Sequence, residues 1–155
     1  MTLRRDIILA ATLLTVGLPR LASATLGGDI SSITADRISV QGSLISMVRG
    51  DAYTLHEIRS ASGVTIREYV SSSGTVFAVA WQGPWLPDLR VLLGPYYARF
   101  EQEAQLARQK RQGHGPLSIQ TADFVVQTSG HQRSFTGRVY LPQLLPLGVS
   151  VQSIQ

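Results

Sequence analysis

The sequence predicts an α+β fold: an antiparallel sheet of about five strands, a three-stranded meander plus a C-terminal hairpin, with a helical segment on one face. Three observations predict it. Residues 53–82 hold three β-branched and aromatic runs, "YTLHEIRS", "VTIREYVSS" and "TVFAVAWQ", separated by the small-residue turns "ASG" and "SSG". Residues 89–111 repeat apolar side chains at helical spacing. Residues 123–141 hold two more strand-like runs, "DFVVQT" and "SFTGRVYL", around "SGHQR".

Within the meander, turns with an even number of residues place 59 opposite 64 and 71 opposite 76. One face then carries Tyr53, Leu55, Val64, Ile66, Val70, Phe77, Val79 and Trp81. The other carries Thr54, His56, Ile58, Thr65, Arg67, Tyr69, Val76, Ala78 and Ala80. "VFAVAWQ" is apolar on both faces, as an inner strand must be. An odd loop would break this assignment.

In the helical segment, Leu89, Leu92, Leu93, Tyr96, Tyr97, Phe100, Ala104 and Ala107 form the stripe facing the sheet. Pro95 lacks a donor for a helix interior, so two pieces are expected, one from Asp88 and one starting at Pro95. Arg108, Lys110 and Arg111 complement the dipole of the last turn, and Gly113 stops it. Ahead of the meander, residues 31–38 carry a weak helical period, and Gly42 and Gly50 interrupt the stretch after it. After the hairpin, "PQLLPLGV" reads as a proline-bounded turn and "SVQSIQ" as a trailing end.

The first 24 residues set the expected compartment. A basic start through Arg4 and Arg5 precedes an apolar run from Ile7 to Leu18, and Ala22-Ser23-Ala24 supplies a small-x-small cleavage pattern. These are the three parts of a secretory signal peptide, with an apolar stretch too short for a committed membrane span. Arg4-Arg5 also loosely resembles a twin-arginine signal, although the general secretory route needs nothing more than is present. The expected domains are therefore a signal peptide at 1–24 and one α+β domain at 25–155, periplasmic or secreted. No transmembrane segment is expected after cleavage.

Composition narrows the function. Of 14 basic and 10 acidic residues, three and one leave with the signal, so the net charge falls from +4 to about +2. That leaves no dense basic face for nucleic acid. The absence of cysteine excludes disulfides, thiol nucleophiles and a lipid-attachment cysteine. The three histidines, 56, 114 and 131, show no metal-ligand spacing, so neither metal nor cofactor is expected. No nucleophile elbow, Walker loop or dinucleotide glycine pattern occurs.

Glu68 is the residue most open to a chemical reading. The expected register points it at the apolar face between Ile66 and Val70, where a carboxylate must find a partner or stay protonated. The favoured reading is an ion pair with Arg90 or Arg99; the sharper one is a general acid working with His56 or His131. His56 is expected opposite Arg67 as a surface polar pair. Trp81 reads as core and Trp85 as the exposed strand-to-helix corner, the candidate binding contact.

The stretches HEI, REYV, VFAVAWQGP and GRVYLPQLLP resemble a family of small secreted proteobacterial proteins catalogued only as a domain of unknown function. The resemblance implies an exported bacterial protein and brings no activity or catalytic residue. The expected function is a non-enzymatic envelope module binding a protein or small-molecule partner, with a small hydrolase using Glu68 as the alternative. The export reading makes one direct prediction: mass spectrometry of the exported protein finds Thr25 as its first residue. An intact Met1 on a membrane-bound product would refute it.

Overall fold

A computed structural model describes residues 26–29, 42–110 and 115–155. The expected signal peptide, the weak helix over 31–38, Arg111, Gly113 and His114 lie outside the described residues. The sheet has seven strands rather than about five: β1 Ser43–Arg49, β2 Tyr53–Arg59, β3 Thr65–Ser71, β4 Val76–Gly83, β5 Leu117–Gln120, β6 Val125–His131 and β7 Ser134–Tyr140. Their order is β1-β2-β3-β4-β7-β6-β5, and every pairing is antiparallel. The meander and the hairpin stand as expected. β1 and β5 are the additions, one at each edge.

The helical connection from β4 to β5 is built in two pieces, as Pro95 requires. Helix α1 covers Leu89–Leu93, a 3-10 turn covers Gly94–Tyr96, and α2 covers Tyr97–Lys110. Asp88 caps α1 by accepting a hydrogen bond from the Arg90 N–H at 2.9 Å. Leu92, Leu93, Phe100 and Ala104 are buried in one cluster with Ile66, Val79, Trp81, Val126 and Val139. The helices therefore cover one face of the sheet, the helix face.

The first hairpin departs from the expected register. Arg59 pairs with Thr65, not Val64, because the turn from Ser60 to Val64 has five residues. Ser60 closes it with its N–H on the Val64 carbonyl at 2.9 Å and its Oγ accepting from the Val64 N–H at 3.0 Å, while Gly63 takes a φ of 84°. A shift of one residue exchanges the faces of the whole of β2. Tyr53 and Leu55 move away from the helices, and His56 and Ile58 move beneath them. The second hairpin keeps the expected pairing from Thr65 to Tyr69, then a bulge leaves Val70 opposite Val76. Val76 consequently joins the helix-face core and Phe77 the opposite face.

A second, smaller cluster covers that opposite face. Tyr69, Phe77, Ala78 and Ala80 are buried there with Ile154. The segment expected to trail off is docked instead: Val151–Ser153 forms a 3-10 turn, and Ile154 is fully buried. The C-terminal hairpin is also tighter than expected, since His131 pairs with Ser134 and only Gln132 and Arg133 remain in the loop.

Packing on the helix face depends on one glycine. A Cβ placed on Gly137 would lie 2.3 and 2.6 Å from ring atoms of Trp81, which is laid across the β7 backbone. Gly137→Ala should therefore overpack the core and cost roughly 1–3 kcal/mol in urea unfolding. Trp81→Phe in the same chain should recover part of that loss, and a neutral Gly137→Ala would show that Trp81 does not lie there.

Candidate functional site

The register brings two of the suspected residues together. Met47, His56, Glu68, Val79, Val139, Val126 and Ile119 form one row across all seven strands, on the helix face. His56 thus sits opposite Glu68 and not opposite Arg67, whose Nε instead donates to Glu57 Oε2 at 2.6 Å. Glu68 is completely buried and His56 is 6% exposed. Arg90 and Arg99, the partners expected for Glu68, are engaged elsewhere: Arg90 stacks 4.9 Å over the Tyr97 ring, and Arg99 pairs with Asp123. Burial lowers the pKa of His56 below its ordinary 6.5, because the imidazolium loses hydration on entering the core.

His131 is not part of this group. It lies five residues beyond Val126 along β6, roughly 17 Å, and three strand spacings from Glu68, roughly 14 Å. It is exposed at the hairpin tip. Among the described residues no three His, Asp or Glu side chains converge as a metal site would need.

The two tryptophans separate as expected. Trp81 is 1% exposed and Trp85 is 56% exposed, next to the equally open Leu86. Leu86, Pro87, Asp88 and Val91 line one side of a cleft of about 200 Å³, with Ser60 and Ser62 of the first turn on the other.

A further concavity lies on the opposite, polar face, and none of the candidate residues Glu68, His56, His131 and Trp85 lines it. There Glu57, Arg67, Ala80, Arg138 and Gln127 form one row across β2, β3, β4, β7 and β6. The two arginines flank Ala80 and hold the 150–155 segment by its main chain. Arg138 donates from Nη1 to the carbonyls of Val151 and Ile154, at 2.8 and 3.0 Å, and from Nε to Gln127 Oε1 at 2.8 Å. Arg67 donates to the Gln155 carbonyl at 3.2 Å. The Tyr69 hydroxyl accepts from the Gln155 N–H at 3.0 Å and lies 3.1 Å from the carbonyl of the same residue. Desolvation, the largest effect, raises the Tyr69 pKa above its ordinary 10, so the hydroxyl keeps its proton.

Small residues on β4 make this docking possible. Ala78 and Ala80 leave a floor on which Ile154 rests, and Tyr53, Tyr69 and Phe77 form a wall of rings 5.5–6.2 Å apart. Beside the docked segment opens a groove of about 560 Å³, lined by amide and hydroxyl side chains including Gln82, Ser118, Gln127 and Thr136 together with apolar surface that includes Pro116, Leu117 and Ile154. That volume falls within the range of small-ligand sites. The sequence signal was present in one form: a strand apolar on both faces needs a second cover, and "SVQSIQ" supplies one isoleucine.

Residues 22–154 match the model of a family described as "Protein of unknown function (DUF2844)". The chain belongs to that family. No curated protein and no solved structure matches it. The DUF2844 description names no activity, so the site of this family member rests on its geometry. Among the described residues no helix is long and apolar enough to cross a membrane.

The burial of these side chains sets two expected outcomes. Iodide should quench the fluorescence of Trp85 and leave Trp81 untouched in single-tryptophan variants. Because the folded pKa of His56 lies below the unfolded value, the unfolded chain takes up a proton first as pH falls. The contribution of His56 is thus fully present above about pH 6.5 and is lost as pH drops toward the folded pKa. His56→Leu should lose less stability than the parent between pH 7 and pH 5 in urea titrations, and parallel losses would place His56 in solvent.

Proposed function

We propose that this DUF2844 protein is an exported, non-enzymatic binding or accessory module of the bacterial cell envelope, which takes its partner on the polar face. The observation that carries this reading is the open groove beside the clasped 150–155 segment. It encloses about 560 Å³, and its lining offers hydrogen-bonding groups but no Asp or Glu side chain to act as acid or base. Export is supported by the basic, apolar and small-residue parts of the first 24 residues. Trp85 and Leu86 at the strand-to-helix corner supply a second contact.

The hydrolase reading has one observation in its favour, the cross-strand adjacency of His56 and Glu68. Their burial weighs against it, since a substrate bond must come within hydrogen-bond reach of the acid. His131, at the far end of β6, adds nothing to that pair.

The test is capture from an envelope extract with the processed chain, the Thr136→Arg variant and the Trp85→Ala variant. Thr136 is exposed in the groove, so a long charged side chain there should block it without unfolding the domain. A species held by the parent chain and lost from Thr136→Arg is the expected result. Equal capture by parent and Thr136→Arg would remove the polar face as the binding site.

A further inference from the structure

The two ends of the sheet differ in charge. Ser43 pairs with Arg59, Arg59 with Thr65, Thr65 with Gln82 and Gly83 with Phe135. The start of β1, the β2–β3 turn, the β4–α1 corner and the β6–β7 turn therefore lie at one end, the corner end. Helix α2 finishes toward it: Arg99 pairs with Asp123 in the β5–β6 turn at the opposite end, while Lys110 borders a hollow with Pro116 and Leu117 where β5 starts. Among the described residues this gathers Arg59, Arg108, Lys110 and Arg133 at the corner end, all exposed, against one exposed acid, Asp88. Arg90, close by, is stacked on Tyr97, and Glu57, the next acid along β2, is paired with Arg67. The opposite end carries Asp29, Asp51 and Asp123, with Arg49 and the Asp123-bonded Arg99.

The corner end is also where large apolar side chains stand in water beside the cations. Trp85 and Leu86 project from the β4–α1 corner, and Leu44 and Ile45 are exposed at the start of β1, next to the pairing with Arg59. The corner is braced on the β2–β3 turn: a Cβ on Gly63 would lie 3.8 Å from Pro84. Leu144 and Leu147 are exposed as well, but they follow the other end of β7, on the side of Asp51 and Asp123.

This mixture discriminates between partners. Nucleic acid would satisfy the arginines and leave the indole and the aliphatic side chains in water. An apolar protein groove would take Trp85 and Leu86 and strip water from the cations around them. A bilayer with anionic headgroups meets both needs at once, since it offers phosphates to Arg and Lys and a hydrocarbon boundary to Trp and Leu. The acids of the opposite end would face such headgroups with like charge, which sets the orientation.

We infer that the corner end docks on an anionic lipid surface, with Trp85 and Leu86 in the headgroup layer and Arg59, Arg108, Lys110 and Arg133 on lipid phosphates. None of these side chains lines the groove beside the 150–155 strap, so either surface can fail without the other. The test is flotation of the processed chain with phosphatidylglycerol–phosphatidylethanolamine vesicles or with phosphatidylcholine vesicles, read together with iodide quenching. Flotation with the anionic vesicles that weakens with salt, and loss of iodide access to Trp85 on binding, are expected. Arg59→Glu combined with Arg133→Glu should weaken binding by about tenfold or more. Trp85→Ala should weaken it too, whereas Leu147→Glu at the other end and Thr136→Arg in the groove should still float. Absence of flotation, equal flotation with both vesicle types, or full binding by the doubly reversed variant would overturn the inference. Capture of polyglutamate or DNA without flotation would overturn it also, and would make the corner end a site for an acidic macromolecule.

Discussion

Strand β4 cannot be left with either face in water. From Val76 to Trp81 every residue of it is buried, so the fold must supply two covers for one strand. Removing apolar side chains from water contributes about 25 cal/mol per Å², and a strand of this composition gains it on both sides only if both covers close. The helices close one side through Leu92, Leu93, Phe100 and Ala104. The other is closed by the end of the chain, with Ile154 buried in the cluster and Leu145 and Val149 packed against it. Side-chain hydrogen bonds from Arg67, Tyr69 and Arg138 tie the last residues of this cover to the sheet.

This division explains the chemistry of the two faces. On the helix face the row through Val79, Val139 and Val126 is apolar, and His56 and Glu68 are its polar members. The buried His56 imidazole, its pKa lowered by desolvation, makes that region sensitive to acid. On the polar face the charged and amide side chains hold the strap at the surface, and a groove remains where the strap does not reach. The groove and the docked strap share Arg138, which bonds both Gln127 in the groove lining and the strap's main chain.

The sequence was legible where alternation was long and turns were short. The meander, the helix broken at Pro95 and the hairpin strands all carry periods that only one structure satisfies. The edges were not legible: "SLISMVR" lies between two glycines and is exposed on both faces, and "LSIQ" is too short to show a period. The parity of β2 failed on a single turn residue, and with it the placement of His56, because "SASGV" closes as five residues through Ser60. Glu68 was placed correctly because β3 and β4 are joined by a pairing that holds from Thr65 to Tyr69. The polar-face groove was missed for a different reason. Its residues come from β4, β5, β6, β7 and the 150–155 segment, and no local pattern joins them.

The docking of Ile154 is where fold and site meet, and it can be seen directly. Methyl-labelled protein should show nuclear Overhauser contacts from the Ile154 methyl groups to the ring protons of Tyr69 and Phe77, with the methyl signals displaced upfield by those rings. Ile154 methyl signals at random-coil positions, without contacts to either ring, would mean that the second face of β4 is covered by something else and that the clasped strap does not exist.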